Sequence, residues 1–123
     1  MPLVAVVDDD VSVRESLESL IRSAGLDVNV FASAEEFLES NHARPDCLIL
    51  DVRLPGMSGI ELHHRLLALS YKVPVAFITA HASDDHARTE AASEWTVAYL
   101  TKPFGEDELL DAVYAALKTK RDS

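Results

Sequence analysis

Hydrophobic and polar positions along the chain fall into a repeating pattern: a short unbroken apolar run, then a stretch with apolar residues at helical spacing. The unbroken runs are Leu3-Val4-Ala5-Val6-Val7, Cys47-Leu48-Ile49-Leu50 and Pro74-Val75-Ala76-Phe77-Ile78. An apolar residue at every position means burial on both faces, which predicts strands of a parallel sheet. Leu26 to Phe31 differs, with Asp27 and Asn29 set beside Val28 and Val30, and that alternation predicts an edge strand. Val97 to Thr101 predicts a short fifth strand. Between the runs, Val13, Leu17, Leu20, Ile21 and Ala24 mark a first helix, with Gly25 as its stop. Ser33-Ala34-Glu35-Glu36 has the form of a capping box and opens a short helix with Phe37 and Leu38 on its inner face. Ser58-Gly59-Ile60-Glu61 has the same form and opens a helix through about Leu69. Asp84 to about Glu94 predicts a fourth helix with a thin apolar face. Glu106 to Lys118 predicts the last, with Leu109, Leu110, Val113 and Leu117 inward and acids at its start, where the helix dipole favours them.

Strand and helix alternate throughout, which implies a doubly wound parallel sheet with helices on both faces, joined by right-handed crossovers. The chain of 123 residues suits one domain, read as residues 1–118, with 119–123 a polar tail or the start of a linker. Hydrophobic residues at 48% and charged residues at 26% are ordinary for a globular protein. The formal net charge of -10 argues against direct nucleic-acid binding and against acidic membrane surfaces. A single cysteine, Cys47, has no disulfide partner within the chain and reads as a small core residue. No apolar stretch approaches the ~20 residues that cross a bilayer, and no signal-peptide pattern opens the chain, so a cytoplasmic location is expected.

The chemistry lies where the runs end. All strands of a parallel sheet finish on one edge, where ligands bind in such folds. Asp8 and Asp9, Asp51, Thr79 and Lys102 each follow a different strand there. Gathered carboxylates repel one another and resist ionisation unless a cation intervenes. A hard divalent ion with oxygen ligands answers that need. Lys102 adds a positive charge and Thr79 a hydroxyl donor. Together they suit phosphoryl transfer to a carboxylate, with Asp51 as nucleophile. Plainer readings stand beside these. Asp51 on its own is a turn residue, Lys102 a surface lysine, Tyr99 edge-strand packing and Asp10 a helix cap. His63 and His64 are adjacent on a helix, face different ways and make poor co-ligands.

Taken together, Val7-Asp8-Asp9, Leu50-Asp51-Val52-Arg53-Leu54-Pro55-Gly56-Met57-Ser58-Gly59, Ile78-Thr79-Ala80 and Lys102-Pro103-Phe104 resemble a CheY-like receiver domain of a two-component response regulator. The resemblance covers essentially the whole chain. Phe31-Ala32-Ser33-Ala34-Glu35-Glu36-Phe37-Leu38 also resembles the subgroup of the nitrogen-fixation regulator FixJ. The resemblance implies strand order 2-1-3-4-5 and a phosphorylation-controlled switch. Asp51 would accept a phosphoryl group from a sensor histidine kinase. Asp9 would bind Mg2+ (or Mn2+) directly and Asp8 through water, with Asp51 and the Arg53 carbonyl as further ligands. Lys102 would clamp the phosphoryl group through a cis bond to Pro103. Thr79 and Tyr99 would form the switch pair, while Arg53 and His81 would tune phosphoryl lifetime. Output would pass through the face of the fourth helix, fifth strand and fifth helix, with a homodimer on phosphorylation and a role in transcription regulation.

The sequence departs from the family at Glu94-Trp95-Thr96, where receivers usually have Gly and Ala. The Gly takes a positive φ that a bulky residue adopts at a cost of roughly 1 kcal/mol or more. The fourth helix is therefore expected to stop early or its loop to be rebuilt, with the indole across neighbouring apolar surface. His63 falls where the family usually has Leu and reads as a partly buried histidine. Two other functions compete. An aspartyl phosphatase on a similar sheet wants a second Asp two residues after the nucleophile, and Arg53 stands there. A flavodoxin-like cofactor binder wants a phosphate loop after the first strand, where this chain has acids.

Overall fold

The computed structural model describes residues 2–40, 43–80 and 85–121, with side chains as far as Thr119. Strands β1 (Leu3–Val7), β2 (Asp27–Phe31), β3 (Cys47–Asp51), β4 (Val75–Thr79) and β5 (Thr96–Thr101) alternate with helices α1 (Val11–Ser23), α2 (Ala34–Glu39), α3 (Gly59–Ala68), α4 (Asp85–Ala91) and α5 (Glu106–Arg121). Every pairing is parallel, and the sheet order is β2-β1-β3-β4-β5. The expected doubly wound architecture is the one observed.

Successive strand residues point to opposite faces, so each unbroken run supplies two cores. Ala5, Val7, Leu48, Leu50, Val75 and Phe77 pack with Phe37, Leu62, Leu66, Ala87 and Ala91 of α2, α3 and α4. Val4, Val6, Cys47, Ile49, Ala76 and Ile78 pack with Leu17, Ile21, Leu109 and Val113 of α1 and α5. Strands β3 and β4 are buried along their whole length, whereas edge strand β2 exposes Asp27 and Asn29.

Element ends follow local chemistry in most places. Asp10 caps α1, its carboxylate accepting the N–H groups of Ser12 and Val13. Ser58 and Glu61 form a complete capping box on α3. At α2 only half of the expected box forms: Ser33 accepts the Glu36 N–H, but the Glu36 carboxylate reaches the Ala32 N–H. Helix α1 ends on Gly25 at φ 83, the left-handed position a glycine takes without strain. Two helices depart from expectation. Helix α4 stops at Ala91 rather than running to Glu94, and α5 continues past Lys118 to Arg121.

Candidate functional site

The carboxyl edge brings together side chains from β1, β3 and β5. Asp8 follows β1, and its side chain is completely buried. Its Oδ1 accepts the Asp10 N–H at 2.9 Å, and its carbonyl accepts Arg14 Nη1 at 2.8 Å. Asp9 stands exposed beside it. Asp51 is the last residue of β3 and is only 6% exposed. Its Oδ1 accepts the Arg53 N–H at 3.2 Å, which folds the following loop back over the strand end. The start of α3 lies directly against this point. A Cβ on Gly59 would collide with the Asp51 carbonyl oxygen, so a glycine is needed there. Lys102 comes from the end of β5, and its backbone N–H donates to the Thr79 carbonyl at 2.7 Å. Its Nζ lies 2.9 Å from Asp8 Oδ2 and 3.3 Å from Asp51 Oδ2, so the lysine joins the two buried acids. The bond between Lys102 and Pro103 is cis.

The charge at this edge is not balanced. Carboxylate oxygens of Asp8, Asp9 and Asp51 lie within 4.8 Å of one another, with Lys102 as the cation bonded to two of these acids. Burial, and next the charge of Asp8, push the Asp51 carboxyl from its ordinary 3.8 up to about 6, against the pull of Lys102. Burial works against the charge on Lys102. The hydrogen bond to Asp8 and the charges of both acids outweigh it and hold the ammonium above its ordinary range. Closely spaced oxygen donors with surplus negative charge are the donor set that a hard divalent cation takes. Asp8, Asp9 and Asp51 therefore fit such an ion.

The remaining expected residues take distinct places. Thr79 ends β4 and is buried at the same edge. Tyr99 is half-buried on β5, its ring 6.3 Å from that of Phe77 and its hydroxyl oxygen enclosed by protein. Arg53 is exposed. His81 lies outside the described residues. Two contacts have no signal in the linear pattern. The Glu35 carboxylate, from α2, accepts the Met57 N–H at 2.8 Å and so ties down the loop that follows Asp51. That bond holds the Glu35 carboxyl below its ordinary range. Arg88, from α4, lies 4.9 Å over the Tyr99 ring.

The departure at Glu94-Trp95-Thr96 resolves as an early stop. Among the described residues Ser70 is the one non-glycine with positive φ, so Trp95 takes no such conformation. The strand that follows absorbs an irregularity instead: Val75 pairs with Thr96 but Ala76 with Ala98, leaving Val97 as a bulge. His63 is fully buried rather than partly so, edge-on to Phe77 at 5.5 Å, and its neighbour His64 is exposed.

A family model described as the response regulator receiver domain matches residues 4–114. The chain is 48% identical over 123 residues to nodulation protein W of Bradyrhizobium diazoefficiens, covering 98% of this chain and 52% of that protein. It is 36% identical to the transcriptional regulatory protein FixJ of the same organism, covering 94% of this chain and 56% of that one. The crystal structure of FixJ-N superposes with a TM-score of 0.86 at 33% identity, covering 96% of this chain and 94% of that chain. The chain spans about half the length of the curated relatives it matches.

Proposed function

Given that the chain belongs to the response regulator receiver domain family, we propose that it is a phosphorylation-controlled switch with Asp51 as phosphoacceptor. The observation that carries this reading is the convergence of the Asp8, Asp9 and Asp51 carboxylates with Lys102 Nζ at one sheet edge. The donor is the phosphohistidine of a sensor histidine kinase. An Asp51 oxygen attacks the phosphorus, a P–O bond forms as the P–N bond breaks, and the imidazole leaves with the electron pair. Lys102 exchanges part of its contact with the acids for a phosphoryl oxygen. Asp8, Asp9, Asp51 and the Arg53 carbonyl would hold Mg2+ (or Mn2+), which supplies positive charge to the phosphoryl oxygens when bound. The new oxygens are strong acceptors and draw the Thr79 hydroxyl toward them, and Tyr99 shifts in response. We read Arg53 and His81 as the residues that tune the lifetime of the phosphoryl group.

Relatives of this chain include a transcriptional regulator, and we read the output as transcriptional, passed through a homodimer or a downstream domain. Residues 1–118 would form the receiver, with 119–123 a polar tail or the start of a linker. No helix among the described residues is long and apolar enough to cross a membrane. Arg53, two residues after Asp51, holds no dissociable proton at neutral pH, which leaves a phosphatase-type mechanism without its acid/base. Acetyl phosphate with Mg2+ should add one phosphoryl group by intact-mass analysis, and Asp51→Asn should accept none. Equal labelling of that variant would remove Asp51 from the role.

A further inference from the structure

Helix α4 ends in an unusual way, and the polar groups around its end form a chain with a definite direction. Helices α1 and α3 close with the same pair of backbone bonds. Gly25 N–H reaches the Arg22 carbonyl and Leu26 N–H the Ile21 carbonyl; Ser70 N–H reaches Leu67 and Tyr71 N–H reaches Leu66. Helix α4 has no such turn, since no described residue after Ala91 takes positive φ. Its last carbonyl, on Ala91, instead accepts the Thr96 hydroxyl at 2.6 Å. Thr96 has one hydroxyl hydrogen, and this bond uses it. The 3.2 Å contact between Thr96 Oγ1 and Ser93 Oγ is then a bond in which Ser93 donates. Ser93 Oγ thereby uses its own hydrogen and is left to accept. It accepts the Trp95 N–H at 3.1 Å and stands 2.8 Å from His63 Nε2, which must carry the proton. His63 is 1% exposed on α3, and burial together with the nearby His64 lowers its pKa to about 4, so the ring is neutral.

We propose that His63 is a positioning residue, the first donor of a one-way relay from its Nε2–H through Ser93 and Thr96 to the Ala91 carbonyl. The relay replaces a backbone turn as the closure of α4. It also ties the start of β5 to α3, whose own first residue lies against Asp51. The segment joining α4 to β5 is thus held from α3. On the reading of the chain as a receiver, this relay sets the resting position of the output face and resists its movement.

The tests on the unphosphorylated full chain do not depend on that reading. Nitrogen-15 spectra of the His63 ring should show Nε2 protonated and Nδ1 bare at neutral pH; the opposite tautomer overturns the proposal. His63→Leu keeps bulk but offers no donor. It should cost the Trp95 and Thr96 amides roughly two- to tenfold in exchange protection, the effect of about one hydrogen bond. It should also shift the emission of Trp95, the single tryptophan of the chain. His63→Gln, which carries an N–H near the same place, should restore both. If His63→Leu fails to fold, Thr96→Val gives the same loss at the far end of the relay. Wild-type protection in a folded His63→Leu or Thr96→Val, or no recovery in His63→Gln, rejects the relay. Acetyl phosphate should label Asp51 equally in wild type and His63→Leu, while the emission change on labelling should be larger in the variant. A labelled wild type with no larger change in the variant would leave the closure of α4 standing and remove its link to switching.

Discussion

At the scale of single residues, the decisive fact is that Asp51 is harder to ionise in the fold than in the open chain. Its carboxyl titrates near 6 instead of 3.8, so without metal the folded state holds this proton more tightly than the unfolded state. Stability from this group is therefore complete below pH 3.8 and lost as pH rises through about 6. Asp51→Asn removes the loss. In EDTA the variant should be more stable than wild type at pH 7.5, and urea denaturation should show the gap closing as pH falls toward 4. A gap that does not narrow would mean that the strain lies elsewhere. Asp9 is a different case, because it is exposed and its removal costs the fold little. Asp9→Ala should keep the melting temperature in EDTA at or above wild type, yet lose the rise that Mg2+ gives wild type. An undiminished rise by scanning calorimetry would take Asp9 out of the ligand set. Of the acids after β1, Asp10 serves instead as the cap of α1, its Oδ1 accepting the Ser12 and Val13 N–H groups.

At the scale of elements, helix ends separate what is local from what is not. Gly25, Asp10 and Ser58 act through bonds to residues within a turn, and each was legible in the sequence. Ser70 fills the position that Gly25 fills on α1, at φ 62. A residue with a Cβ pays about 1–2 kcal/mol there, partly offset by the greater freedom of glycine in the unfolded chain. Ser70→Gly should stabilise the protein by ~0.5–1 kcal/mol, read from the urea midpoint at unchanged slope. The end of α4 is the non-local case: Ala92, Ser93 and Glu94 are all acceptable in a helix, and the last carbonyl is closed by the hydroxyl of Thr96, already in the next strand. Helix α5 departs in the other direction and runs on to Arg121. Its apolar spacing fades after Leu117, but nothing in the following residues breaks a helix.

At the scale of the whole molecule, the proposed switch requires that an event at Asp51 reach the surface formed by α4, β5 and α5. Thr79 and Lys102 meet at the site through their backbones, and Tyr99 lies on the strand that leads into Lys102, between Phe77 and Arg88. Reversing a two-state equilibrium takes roughly 5.5 kcal/mol of differential binding. On the proposed reading a charge-assisted bond from Thr79 would supply only ~1.5–3 kcal/mol, leaving the rest to Lys102 and the metal. Thr79→Ala should still accept phosphate at Asp51 and still move, but less far. Sedimentation velocity with and without beryllofluoride should show a smaller shift toward dimer in Thr79→Ala than in wild type. Identical shifts would exclude Thr79 as the relay.

The sequence by itself determined the element order, the parallel sheet and the edge on which the acids, Thr79 and Lys102 gather. Those follow from periodicity, turn chemistry and strand direction, which act over a few residues at a time. Tertiary structure alone decided which partners the side chains take. Lys102 bonds more closely to Asp8 than to Asp51, across a separation of 94 residues. His63 reaches Ser93 across 30 residues and closes a helix it does not belong to. Neither pairing leaves a mark in local pattern, because hydrogen bonds and desolvation depend on distances that exist only once the sheet has brought remote segments together.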